Sequence, residues 1–151
     1  QYKDVIEVVA KIPTEWNADT AFAGLTNALQ ANPDISFVFT SSDFLIPQIQ
    51  QALKSADKWH TIGEEGHVIF VGFDGFPDAY ALMKDGYMDA CGVQNLFYET
   101  DLAIQAILDL QAGKKVDKLL LDPGFAITQE NMEEKTAAMW GYVLWKEKNP
   151  G

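Results

Sequence analysis

A chain of 151 residues that is 48% hydrophobic, 22% charged and 12% aromatic is long enough to bury one core and too apolar to stay disordered. Its 22 acidic residues outnumber 11 basic ones, and a net charge of -11 repels phosphate backbones and anionic lipid heads, which excludes nucleic acid as a partner. No apolar run nears the roughly twenty residues of a membrane span, the start QYKDVIEVV has none of the parts of a signal peptide, and the lone Cys91 forms no internal disulfide.

In chain order, VIEVVA (5–10) is short and β-branched and reads as a strand. Asn17 then caps a helix in which Ala21, Phe22, Leu25, Ala28 and Leu29 recur at helical spacing, up to the stop Asn32-Pro33-Asp34. The pattern repeats with SFVFT as strand, Ser41-Ser42-Asp43 as loop and cap, and FLIPQIQQALKSA as helix, Pro47 lying close enough to its start to be tolerated. KWHTIGEEGH (58–67) is an irregular insertion. HVIFVGF and FPDAYALMKDG form a third pair, ended by Gly86; DACGVQ and YETDLAIQAILDLQAG form a fourth, ended by Gly113. KLLLD or GFAIT begins the last strand, and ENMEEKTAAMWGYVLW closes as one amphipathic helix carrying Met132, Trp140, Val143 and Leu144.

Strands alternating with helices every thirty residues or so, with continuous hydrophobicity in the strands, predict a parallel sheet covered on both faces. The expectation is an α/β fold: a three-layer αβα sandwich with a doubly wound, mostly parallel sheet of flavodoxin-like topology, residues 1–151 forming a single domain and 128–151 a helical tail.

Loops leaving the carboxyl ends of the strands of such a sheet open on one rim, where ligands bind. Those loops offer Trp16, then Ser41, Ser42 and Asp43, then Asp74, then Gln94 and Asn95. An aromatic face, carboxylates, hydroxyls and amides suit a neutral polyhydroxylated ligand, with Asp74 as main anchor. Plainer roles compete: Asp74 as N-cap of the next helix, Asp43 as cap rather than contact, Trp16 as a core or interface ring. Nothing points to catalysis or a cofactor. No glycine-rich phosphate loop follows a strand, His60 and His67 are too loosely placed for a metal pair, and no nucleophile-base-orienter set assembles.

The segments NPDISFVFTSSD, VIFVGFDGFPDAYALMKDGYMDACGVQN and ITQEN resemble the carboxyl-terminal lobe of type I periplasmic sugar-binding proteins, the ribose-binding-like solute-binding components of ABC importers. G-F-D-G-x-P-D followed by K-D-G and a strand ending in Gln is the most specific part. The resemblance implies a neutral monosaccharide such as xylose, glucose or ribose held between two lobes, contacted here by Trp16, Ser42, Asp74 and Gln94. Ser42 departs from the Asn common in ribose binders. The resemblance further implies a non-enzymatic protein, ABC permease subunits as partners and an exported location, periplasmic or as an extracellular lipoprotein. On this resemblance the family's amino-terminal lobe and the first βα unit of this lobe are expected to lack a counterpart in residues 1–151. The helix within residues 97–118 would pack on that lobe, so its stripe Leu102, Ile104, Ala106, Ile107 and Leu110 is expected to fold back on the sheet, swap into a second copy or dock on an amino-terminal fragment over 97–113. With half a cleft, sugar binding is expected to be weak or undetectable. Two alternatives share the pattern: the effector-sensing core of a LacI-type regulator, and a receiver-like domain with Asp74 as phosphoacceptor. The latter needs an acidic pair after the first strand, where Lys11-Ile12-Pro13 stands.

Overall fold

The computed structural model describes residues 5–150; the outermost residues of the expected domain and tail lie outside them. Four strands, β1 (Phe37–Phe39), β2 (Ile69–Asp74), β3 (Ala90–Val93) and β4 (Phe125–Thr128), form one sheet in chain order. β1, β2 and β3 run parallel, and β4 pairs antiparallel with β3. A helix follows each of the first three strands, as parallel pairing requires: α2 (Ile46–Ser55), α3 (Pro77–Lys84) and α4 (Leu96–Gln111). The helix α1 (Ala18–Ala31) precedes β1, and α5 (Met132–Lys135) and α6 (Trp140–Lys148) end the chain.

Local chemistry accounts for the helix starts. Asn17 Oδ1 accepts from Thr20 N at 2.9 Å, Pro47 and Pro77 sit in first turns where a missing N–H is harmless, and Asn95 Oδ1 accepts from Tyr98 N. α1 packs on α2, and α3 on α6. Their apolar sides meet the sheet face formed by Val38, Phe70, Cys91, Val93 and Ile127, giving one continuous core.

The α/β class with its mostly parallel sheet and flanking helices is as expected. The second helical layer of the expected sandwich, however, is not supplied by the described residues. Residues of opposite pleat phase, Phe37, Phe39, Ile69 and Phe73, stay exposed on the other face.

Two further expectations are corrected, and the choice between two places for the last strand is decided. Residues 6–14 form no strand, and Val5, Ile6, Val8 and Val9 are exposed; β-branched side chains favour extended backbone, but a strand persists only where its N–H and C=O groups find a neighbour. The last strand is at GFAIT; the KLLLD stretch is irregular, with Leu119, Leu120 and Leu121 exposed. The single closing helix is instead broken, α5 running into a 3-10 turn (Thr136–Ala138) and Met139 extended before α6. Met139 is fully buried there, which is the reason for the break: the chain drops into the core and climbs back over the end of β2.

α4 stands apart. None of its residues is buried, and Ile104, Ile107, Leu108 and Leu110 are all more than half exposed. It does not fold back on its own sheet. Insertion 58–67 is irregular as expected and is anchored at both ends: Trp59 stacks on Tyr87 at 4.9 Å, and His67 lies between the His60 carbonyl (2.8 Å) and the Asp89 carboxylate (3.1 Å).

Candidate functional site

β2 and β3 end side by side, with Asp74 paired to Val93 and Gln94 one residue on. Parallel neighbours deliver both side chains to the same edge. The Gln94 Nε2 amide donates to Asp74 Oδ1 at 2.7 Å, and the Ser42 hydroxyl, at the loop after β1, donates to Asp74 Oδ2 at 2.7 Å. Three successive strand ends thus meet at one carboxylate. Ser42 is itself fixed: Thr40 Oγ1 donates to its carbonyl, and its own Oγ caps the 3-10 turn (Asp43–Leu45) by accepting from Phe44 N. Ser42 is 4% exposed and Asp74 and Gln94 are half-buried, so the carboxylate sits between fixed donors with one side toward solvent.

Asp43 is not at the rim surface. It is fully buried beneath it, and the cap of the turn is Ser42, leaving the Asp43 carboxylate bound to backbone elsewhere. Its Oδ1 accepts from Phe73 N (3.0 Å); its Oδ2 accepts from Gly75 N (2.8 Å), Phe76 N (3.0 Å) and the Cys91 thiol (3.3 Å). Expected as a ligand contact, it is corrected to a strut under the contact residue: every acceptor direction is turned inward. Gly72 makes the room, since a Cβ there would run into Asp43 Oδ1 and Met88. Burial pushes the Asp43 carboxyl up to about 6, ahead of the donors that lower it. Cys91 is buried and donates to that carboxylate; burial pushes its thiol up.

Trp16 lies on the loop before α1 at a left-handed φ of 61° and is 64% exposed. It is not a core ring, and no hydrogen bond joins it to Ser42, Asp74 or Gln94 among the described residues. Its open face is available to a ligand or a partner.

Sequence reasoning missed two supports. Trp140 Nε1 donates to the Asp74 carbonyl at 2.9 Å and its ring packs edge-on against Phe76, while Gly141 N donates to the Gly75 carbonyl at 3.1 Å. A Cβ at Gly141 would collide with the Gly75 carbonyl and Phe76 backbone. Asp122 is the second: it accepts from Asn95 N (2.6 Å) and Gly124 N (2.9 Å), tying together the points where the chain leaves for α4 and returns to β4. Trp140 and the Asp122–Asn95 bond have no local signature, because they act on residues far along the chain; only the Asp122–Gly124 turn is local. A surface hollow of about 490 Å³ beside the rim is lined by Phe73, Val93, Gln94, Asp122 and Phe125 and reaches Gln94 but not Ser42 or Asp74. The Ser42–Asp74 corner is an edge, not a closed pocket. Among the described residues no three His, Cys, Asp or Glu side chains cluster as metal ligands.

Residues 1–115 match the family described as periplasmic binding protein domain. The chain is similar to the D-allose-binding periplasmic protein of Escherichia coli (strain K12), 30% identical over 81% of this chain and 37% of that protein. It is also similar to a ribose import binding protein of Bacillus subtilis (strain 168), 30% identical over 78% of this chain and 36% of the other. Among solved structures, an ABC transporter solute binding protein from Agrobacterium vitis with bound D-fucose superposes with a TM-score of 0.71 at 25% identity, covering 87% of this chain and 43% of that one. The chain therefore spans about two fifths of the length of the relatives it matches.

Proposed function

Because the chain belongs to the periplasmic binding protein domain family, we propose that it is the carboxyl-terminal lobe of an exported, non-catalytic sugar-binding component of an ABC importer. Its rim would grip a neutral monosaccharide through Asp74, Gln94 and Ser42, with Trp16 covering a C–H face of the ring. The observation that carries this reading is the Asp74 carboxylate, oriented at a strand end by Ser42 and Gln94. A carboxylate so held accepts from a pair of vicinal hydroxyls, and each such bond to a charged group contributes about 1.5–3 kcal/mol. The sugars of the similar proteins, allose, ribose and fucose, are of this neutral class.

The same reading accounts for the exposed apolar surfaces. The stripe Ile104, Ile107, Leu108 and Leu110 on α4, and the Leu119–Leu121 stretch that returns from it, would pack on an amino-terminal lobe. Closure of two lobes on a sugar would then present the closed form to permease subunits.

With only half of a cleft, the chain alone should bind sugar near the millimolar level, around -4 kcal/mol. The test is a titration of the isotope-labelled chain with D-allose and with D-ribose into the tens of millimolar, followed by NMR. Expected are shifts confined to Ser42, Asp74, Gln94 and the Trp16 indole. A response from none of these, or micromolar affinity centred elsewhere, overturns the site.

A further inference from the structure

Asp74 carries a backbone problem that its own neighbours do not solve. Its φ is 113°, a region that residues with a Cβ seldom occupy, and it is followed by Gly75 at 91°. Strain of this kind persists only where surrounding structure over-determines it. Two anchors do so. From above, Trp140 and Gly141 hold the carbonyls of Asp74 and Gly75. From below, the buried Asp43 carboxylate gathers the N–H groups of Phe73, Gly75 and Phe76, residues before and after Asp74.

We infer that Asp43 is a positioning residue: its ionised carboxylate draws the 73–76 backbone into a nest and so aims the Asp74 carboxylate into the gap between Ser42 and Gln94, without itself reaching a ligand. The identity of what Asp74 is aimed at rests on the sugar-rim reading; the clamp itself does not. The titratable groups facing Asp43 are Asp74 from the rim and Cys91 from β3. An ionised Asp43 offers acceptor lone pairs to all four of its donors. A protonated one turns part of an oxygen into a donor, and the neighbouring N–H groups then compete for what remains. The clamp is therefore tight at neutral pH and slackens in mild acid, since burial has moved this carboxyl up to about 6.

The experiment is nitrogen-proton NMR of the full chain, first without sugar. In the wild type the backbone amides of Gly75 and Phe76 and the side-chain amide pair of Gln94 should titrate together, with one midpoint near 6. In Asp43→Asn that titration should vanish and the Gln94 pair should move toward the position of a free amide. Asp89→Asn removes a different carboxylate, one that accepts from Phe70 N at the start of the same strand, and should leave the Gln94 pair in place. A folded Asp43→Asn protein with an unmoved Gln94 pair overturns the inference. Should that variant fail to fold, the wild-type titration decides alone: Gln94 signals that do not follow those of Gly75 and Phe76 overturn it equally. Adding D-allose separates the two readings. Binding that weakens severalfold from pH 7.5 to pH 5 supports both; no response to sugar, with the sugar-free titration intact, removes the sugar and keeps the clamp.

Discussion

The Ser42 hydroxyl donates to the Asp74 carboxylate across 2.7 Å, although 32 residues separate the two in sequence. That bond makes one corner out of two βα loops. Removing it leaves a charged acceptor short of a donor but able to take up water on its open side. Ser42→Ala is therefore expected to lower stability by about 1.5 kcal/mol, the low end for bonds to charged groups. Urea unfolding measures this; a loss above roughly 3 kcal/mol would mean that Ser42 supports the core rather than the corner.

The Asp43 carboxyl makes stability depend on pH with a definite sign. Its value in the folded chain, about 6, lies above the ordinary 3.8, so the folded state holds the proton more tightly than the unfolded state. The contribution is fully present below the ordinary value and is lost as pH rises through about 6. The size is roughly 3 kcal/mol between those limits, at about 1.36 kcal/mol per unit. Measured by urea unfolding at pH 4.5 and 7.5, the stability of wild type relative to Asp43→Asn should fall at the higher pH. A relative stability that rises with pH instead contradicts the burial argument.

Gly141→Ala is expected to destabilise by about 2–3 kcal/mol, because the new methyl meets rigid backbone of Gly75 and Phe76 and drives α6 off the rim. Trp140 fluorescence should shift toward that of an exposed indole. Gly113→Ala is the comparison: nothing lies near its Cβ position and only its positive φ of 73° resists, at about 1 kcal/mol. Equal losses at the two sites would show that α6 does not bear on the rim.

On α4, Ile107→Glu combined with Leu108→Glu should change the unfolding free energy by less than about 0.5 kcal/mol, since no residue of that helix is buried. The same pair should reduce binding of a hydrophobic dye and any self-association seen by light scattering. An unfolded or strongly destabilised double variant would place α4 against this chain's own core.

How much of the site could be read in advance depends on the range of each interaction. Ser42, Asp74 and Gln94 were legible because parallel strands separated by helices leave their carboxyl ends on one rim, a rule that needs only the order of elements. Asp43 was not. A carboxylate just before a helix has the same local pattern whether it caps that helix, meets a ligand or reaches down to hold another loop, and only its bonds to Phe73, Gly75 and Phe76 distinguish the last. Trp140 and Gly141 carried the pattern of an amphipathic helix, and the break at buried Met139 that brings them over Asp74 is a packing event.

By itself the sequence determined the alternation of strands and helices from Phe37 to Gln111, the Asn17 cap of α1 and the rim on which polar side chains gather, because periodicity and capping are settled within a few residues and the rim follows from the order of elements. Tertiary structure alone decided that residues 6–14 stay unpaired, that β4 returns antiparallel beside β3, that one sheet face and α4 remain bare, and that Asp43 points inward. Each of those outcomes depends on whether a partner surface is present at a distance, and a chain's local preferences carry no information about that.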